Sequence, residues 1–104
     1  MSITFYPSRE GKDGMSEWVG DWIEFPSFTE ASAHFIIIEL GLPDVDEGMA
    51  DVPIAEFESA CARVVDSHAG GTGTDGSFLR IAADDLLAMA RKAASNGATH
   101  VYAA

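Results

Sequence analysis

Residues 27–40 read as a helix that is apolar on every side, and this constrains the fold more than any other segment. Ser27 and Glu30 have the spacing at which each side chain satisfies a free amide of the first turn. The helix then runs through Ala-Ser-Ala-His-Phe-Ile-Ile-Ile-Glu-Leu and stops at Gly41, with Pro43 beyond it. Glu30 and His34 share one side, Ser32 and Glu39 lie nearly opposite, and Phe35 to Ile38 sweep the circumference. A helix that is apolar all round must be covered all round. In a chain of 104 residues that leaves two arrangements. Either the helix is sandwiched centrally, or a second copy covers part of it, giving a homodimer through helix 27–40.

The flanking segments supply the other layer. Ile3-Thr-Phe-Tyr6 is β-branched and aromatic and predicts a first strand stopped by Pro7. Trp18 to Phe25 alternates and predicts a second strand, paired with the first as a hairpin across a long loop. Residues 43–52 read as an acidic loop. Pro53 suits the first turn of a second helix, whose stripe is Ile54, Phe57, Ala60/Cys61 and Val64/Val65. Residues 67–77 read as a flexible loop. Phe78 to Ile81 predicts a short strand, because Asp84 and Asp85 suit the first turn of a third helix better than its middle. Leu86, Met89/Ala90 and Ala93 mark that helix, Gly97 stops it, and His100 to Tyr102 is a closing strand. Strands and helices do not alternate strictly. The order therefore predicts an α+β fold: a single domain over residues 1–104, with a small, mostly antiparallel sheet of three to four strands and three helices on one face.

Charge narrows the partners. Between Lys12 and Arg63 stand fifty residues with twelve carboxylates and no lysine or arginine, and the whole chain carries a net charge of −11. Such a field repels nucleic acid and anionic membrane and attracts basic surfaces. The hydrophobic fraction of 47% is ordinary, so the charge marks a soluble folded domain and not disorder. One cysteine, Cys61, cannot form an internal disulfide, and no signal-peptide pattern opens the chain, which together suggest a soluble protein of a reducing compartment, the cytoplasm. The longest unbroken apolar run, Phe35 to Ile38, is too short to span a bilayer.

The motifs that would carry chemistry fail on inspection. Gly71-Thr-Gly-Thr-Asp-Gly76 matches a dinucleotide fingerprint in letters only, since a helix precedes it where a strand should. Asp44-Val-Asp-Glu-Gly48 begins like a calcium loop but places Gly48 where a ligand is required. His34, His68, His100 and Cys61 have no zinc-ligand spacing. Cys61 lies on an apolar stripe and reads as a small buried hydrophobe. Glu30 with His34 reads as a helix-surface pair or a partly buried, satisfied histidine. No catalytic residue, cofactor or metal is expected.

Trp18 and Trp22 share a face as strand or as helix, and Glu17, Asp21 and Glu24 surround them. Two tryptophans so placed are either core anchors or an exposed platform. Aromatic rings rimmed by acid suit a basic protein or a cationic ligand. The densest acidic cluster is Asp44, Asp46, Glu47 and Asp51. The expected partner-binding residues are therefore Trp18, Trp22, Asp44, Asp46, Glu47 and Asp51.

The string from Phe25 to Pro43, with its polar cap, apolar helix and terminal Leu40-Gly-Leu42, resembles a segment of small uncharacterised bacterial and phage-associated α+β proteins. The tail from Leu86 through Ala93 to Val101-Tyr102 is similar to their closing helix and strand, so that the resemblance spans about half the chain. The resemblance implies a fold and no activity. The expected function is that of a small acidic interaction or regulatory protein without catalysis, binding a protein partner with a basic surface. The alternative is a small ligand-binding domain or enzyme with a site at the sheet edge.

Overall fold

The computed structural model describes residues 2–11, 16–20, 25–45, 48–67 and 74–104. The elements in chain order are β1 (Ser2–Glu10), β2 (Ser16–Trp18), β3 (Ser27–Thr29), α1 (Glu30–Glu39), β4 (Met49–Pro53), α2 (Ile54–Ser67), α3 (Thr74–Ser95) and β5 (His100–Ala103). The fold is α+β, with an antiparallel sheet of five strands, one or two more than expected, and three helices.

β1 is the central strand. The sheet runs β2-β1-β5-β4, with β3 also on β1. Thr4 exchanges backbone hydrogen bonds with Ala104, and the Ser8 carbonyl accepts from Thr99, so even-numbered residues of β1 bond towards β5. Phe5 donates to the Pro26 carbonyl and the Pro7 carbonyl accepts from Val19, so odd-numbered residues bond towards the other edge. β3 occupies that edge beside Ser2 to Thr4, and β2 occupies it beside Ser8 to Glu10. Pro7 falls where one partner gives way to the other. Its missing N–H therefore costs little there, and the strand passes through a residue expected to stop it.

Side chains alternate across the sheet. Ile3, Phe5 and Pro7 of β1, Met49 and Val52 of β4, and Val101 and Ala103 of β5 are buried on the helical side. Phe5 is fully buried, edge-on to Phe28 at 5.8 Å and tilted against Phe57 of α2 at 6.2 Å. α2 contributes Phe57, Ala60, Cys61 and Val64, the stripe read from sequence. α2 and α3 pack extensively on each other. Among the described residues, no helix is long and apolar enough to cross a membrane.

α1 is not covered all round. Ala33, Ile36, Ile37 and Leu40 are buried, but Phe35 is 37% and Ile38 60% exposed. Its N-cap is Thr29, whose hydroxyl accepts from the Ser32 amide, while Ser27 is drawn into β3. Sheet pairing thus overrides the cap expected at Ser27 and moves it two residues on, to Thr29. At the other end Gly41, at φ +72°, lets Leu42 donate to the Ile37 carbonyl and Gly41 to that of Ile38. Arg63 of α2 donates to the Leu40 carbonyl at 2.7 Å, a cation set against the negative end of α1.

Other boundaries differ from the sequence reading. The second strand ends at Trp18, and residues 21–24 lie outside the described residues. The 43–52 loop contains most of β4, and Pro53 closes that strand instead of opening α2. α3 begins at Thr74, so Phe78 to Ile81 is helical and Asp84 and Asp85 sit mid-helix, both exposed. Leu79, Ala82, Ala83 and Leu86 are buried in three- and four-residue steps, and that helical period outweighs the small cost of two mid-helix carboxylates. Of the loop expected at 67–77, Ser67 belongs to α2, 68–73 lie outside the described residues, and the rest is helix.

Val45 and Gly48 exchange backbone hydrogen bonds of 2.8 and 3.0 Å. Gly48 has φ +130°, and a β-carbon there would lie 2.1 Å from the Ala103 carbonyl oxygen. The glycine that spoils the calcium-loop pattern is thus required by the approach of two backbones. Gly48→Ala should lower unfolding stability by about 2 kcal/mol or more, read as a lower urea midpoint at unchanged m-value.

Candidate functional site

The face of the sheet away from the helices carries an aromatic cluster. By strand parity Tyr6 of β1, Trp18 of β2 and Tyr102 of β5 share this face. Tyr6 stacks on Trp18 at 5.1 Å and 15° and on Tyr102 at 5.1 Å and 25°. Trp18 Nε1 donates to the Tyr102 hydroxyl at 2.6 Å, linking the two strands that flank β1. Phe25 meets Tyr6 and Trp18 edge-on, at 5.7 and 6.4 Å. Trp18 is 51% exposed, the tyrosines are half-buried, and Phe25 is buried. Ser8, a buried polar residue, lies between Trp18 and His100 in the register.

Each side chain has a local reason for its place. Tyr6 and Tyr102 are direct register partners, where cross-strand aromatic pairs stabilise a sheet. Trp18 opposes Ser8, a small residue that leaves room for the indole to lean towards Tyr6. Because the Tyr102 oxygen accepts from Trp18, its own proton remains available to a partner.

The electrostatics of this face follow from parity. Arg9 is odd and turns to the helical side, where it binds Glu17 at 2.6 Å. Arg63, Arg80, Arg91 and Lys92 all stand on α2 and α3. None of the five described lysine and arginine residues therefore belongs to the open face, on which His100 shares the parity of Tyr102. Glu10 shares the parity of Tyr6 at one end of it. At the other end the register of β4 shifts between Met49 and Val52, so Ala50 and Asp51 together oppose Tyr102. Asp51 and Tyr102 line a shallow depression of about 350 Å³ with Val45, Met49, Ala50, Ala103 and Ala104.

Of the expected partner-binding residues, Trp18 is exposed and bonded to Tyr102, and Asp51, on the far strand of the β2-β1-β5-β4 path, lines one depression with Tyr102. Asp44 is held elsewhere: its carboxylate meets His34 Nδ1 of α1 at 2.5 Å. His34 is thus half-buried and satisfied by Asp44, while Glu30 stays exposed. Trp22, Asp46 and Glu47 lie outside the described residues. Tyr6 and Tyr102 were not singled out from sequence. The signal that would have found them was alternation, since Phe5/Tyr6 and Val101/Tyr102 each put an apolar residue and a tyrosine on opposite faces.

A second concavity of about 430 Å³ lies between α3 and the chain before β3. Val19, Phe25, Met89 and Ala93 line its apolar part, and Asp85, Lys92 and Asn96 its polar part. Asp85 and Lys92 are seven residues apart on one helix, an axial rise of roughly 10 Å. No histidine or cysteine lines it. Burial pushes the Cys61 thiol up to about 12, with Glu58 adding to the shift, which keeps it protonated and un-nucleophilic at neutral pH. Among the described residues, no three histidine, cysteine, aspartate or glutamate side chains converge as a metal site.

Comparison with protein families, with curated proteins and with solved structures finds no match for this chain.

The Trp18–Tyr102 hydrogen bond is exposed but joins two strands. Tyr102→Phe should cost about 1 kcal/mol in chemical denaturation, and a double-mutant cycle with Trp18→Phe should show that the two losses are not additive.

Proposed function

We propose that this protein is a non-catalytic interaction protein whose open sheet face binds a basic surface on another protein. The stack of exposed Trp18 on half-buried Tyr6 and Tyr102 carries the reading. An isolated exposed tryptophan is unremarkable, but a tryptophan stacked on two tyrosines is large, stiff and apolar, with a polar handle in the tyrosine hydroxyls. Such a surface binds at low cost in side-chain entropy. The absence of described lysine and arginine residues on that face, with Glu10 and Asp51 at its ends, supports a cationic partner through cation–π and charge attraction. The net charge of −11 would speed association and disfavour nucleic acid and anionic membrane. An affinity capture from host lysate at low and high salt tests the reading. Recovery of a basic protein should fall with salt, and Trp18→Ala bait should lose it. Equal recovery by both baits would sink the role of this face.

A second reading concerns self-association through α1. Ala31, Phe35 and Ile38 are exposed in four- and three-residue steps, and half-buried Leu42 continues the stripe. This stripe bears no charge, so two copies could meet there despite their like net charge. Light scattering at high micromolar concentration should then find a dimer that Ile38→Asp converts to monomer; monomer in the unaltered protein would end this reading. The cleft beside α3 favours the alternative of a ligand-binding domain, since it joins an apolar lining to a few polar groups.

A further inference from the structure

We propose that the depression between Tyr102 and Asp51 seats a single arginine side chain of the protein partner. This rests on the reading of the open sheet face as the surface for a basic protein, and it assigns one position within that surface.

The lining matches the parts of such a side chain. Val45, 50% exposed, and Ala50 give aliphatic wall for a methylene stem. Tyr102 gives an aromatic ring for a planar guanidinium. Asp51 supplies the charge. Among the described residues no hydrogen bond or ion pair engages Asp51, whereas Asp44 is held by His34 and Glu17 by Arg9. Asp51 therefore keeps both oxygens for an incoming fork of N–H donors.

The bulge is what brings these groups together. In a regular ladder one residue of β4 would oppose Tyr102. Here two do, so the small Ala50 and the acidic Asp51 both border the same ring. Bulges re-aim side chains beside functional sites. A neutral or anionic occupant would leave Asp51 unpaired or repelled. Lysine would satisfy the charge but could neither stack as a plane nor pair as a fork, so arginine is favoured. The depression is shallow, which suits one protruding side chain better than an enclosed metabolite.

The test is a titration with end-capped hexa-arginine, hexa-lysine and hexa-citrulline peptides, followed by tryptophan fluorescence and by backbone amide shifts. The proteins are the unaltered chain, Asp51→Asn, Trp18→Ala and Asp66→Asn, the last making the same charge change on α2. Melting curves check that each variant is folded. Hexa-arginine should bind best and move the amide signals of Ala50 and Asp51. Asp51→Asn should weaken it about fivefold, and Asp66→Asn less than about twofold. If hexa-arginine binds and Trp18→Ala weakens it, but Asp51→Asn only matches Asp66→Asn, the seat is overturned while the sheet-face reading stands. Hexa-lysine binding as tightly as hexa-arginine would overturn the guanidinium assignment. If no basic peptide binds the unaltered protein, both the seat and the wider reading fail.

Discussion

Phe5 and Tyr6 are adjacent in sequence and lie on opposite sides of the central strand, and the molecule is organised around that parity. Phe5 is fully buried against Phe28 and Phe57, where α2 meets the sheet. Burying a phenylalanine stabilises by roughly 1.5–3 kcal/mol, and a slip of one residue would exchange it for Tyr6 across the whole strand. With Phe5 held inward, Ile3 and Pro7 face the helices, and Thr4 and Tyr6 face away from them. Because β1 pairs with β2, β3 and β5, its parity passes to each of them. Trp18 and Tyr102 are on the open face because Phe5 is not.

The same constraint divides the charges. Arg9 is carried to the helical side, where Glu17, across the β1–β2 ladder, neutralises it. The remaining described cations belong to helices. Among the described residues the open face thus carries aromatic rings, Glu10 and Asp51 and no lysine or arginine, without any residue being specialised to exclude them. The helices supply the opposite property. α2 and α3 have clear apolar stripes and bury them, whereas α1 is apolar on more sides than one sheet and two helices can cover. Phe35 and Ile38 are the surplus.

Several elements were legible from sequence because their signals are local. The first strand, the glycine stop of α1, the stripe of α2, the buried Cys61 and the closing strand all depend on residues within a few positions of one another. The errors came where pairing or packing at a distance overrode a local preference. Ser27 caps well, but β1 needs it as a ladder partner of Thr4. Asp84 and Asp85 favour a helix start, but Leu79 and Ala82 gain more from burial within a longer α3. Pro7 ordinarily ends a strand, yet it falls between two short partners on one edge. Half of the proposed surface was visible in the same way. Trp18 and Asp51 stood out by residue type, but Tyr6 and Tyr102 are ordinary strand residues until their strands are paired.

Sequence by itself determined the class of the fold, the identity of most helical faces, and the charge that disfavours nucleic acid and membrane as partners. These are sums or periodicities, and they need no knowledge of what lies opposite. Only the tertiary structure decided that Trp18, Tyr6 and Tyr102 form one surface, that Asp44 is taken by His34 while Asp51 is left unpaired, and that a bulge sets Asp51 beside Tyr102. Trp18 and Tyr102 are separated by 84 positions and meet only because β1 lies between their strands. The energy that joins them is spent mostly on the other face, where the core fixes the register.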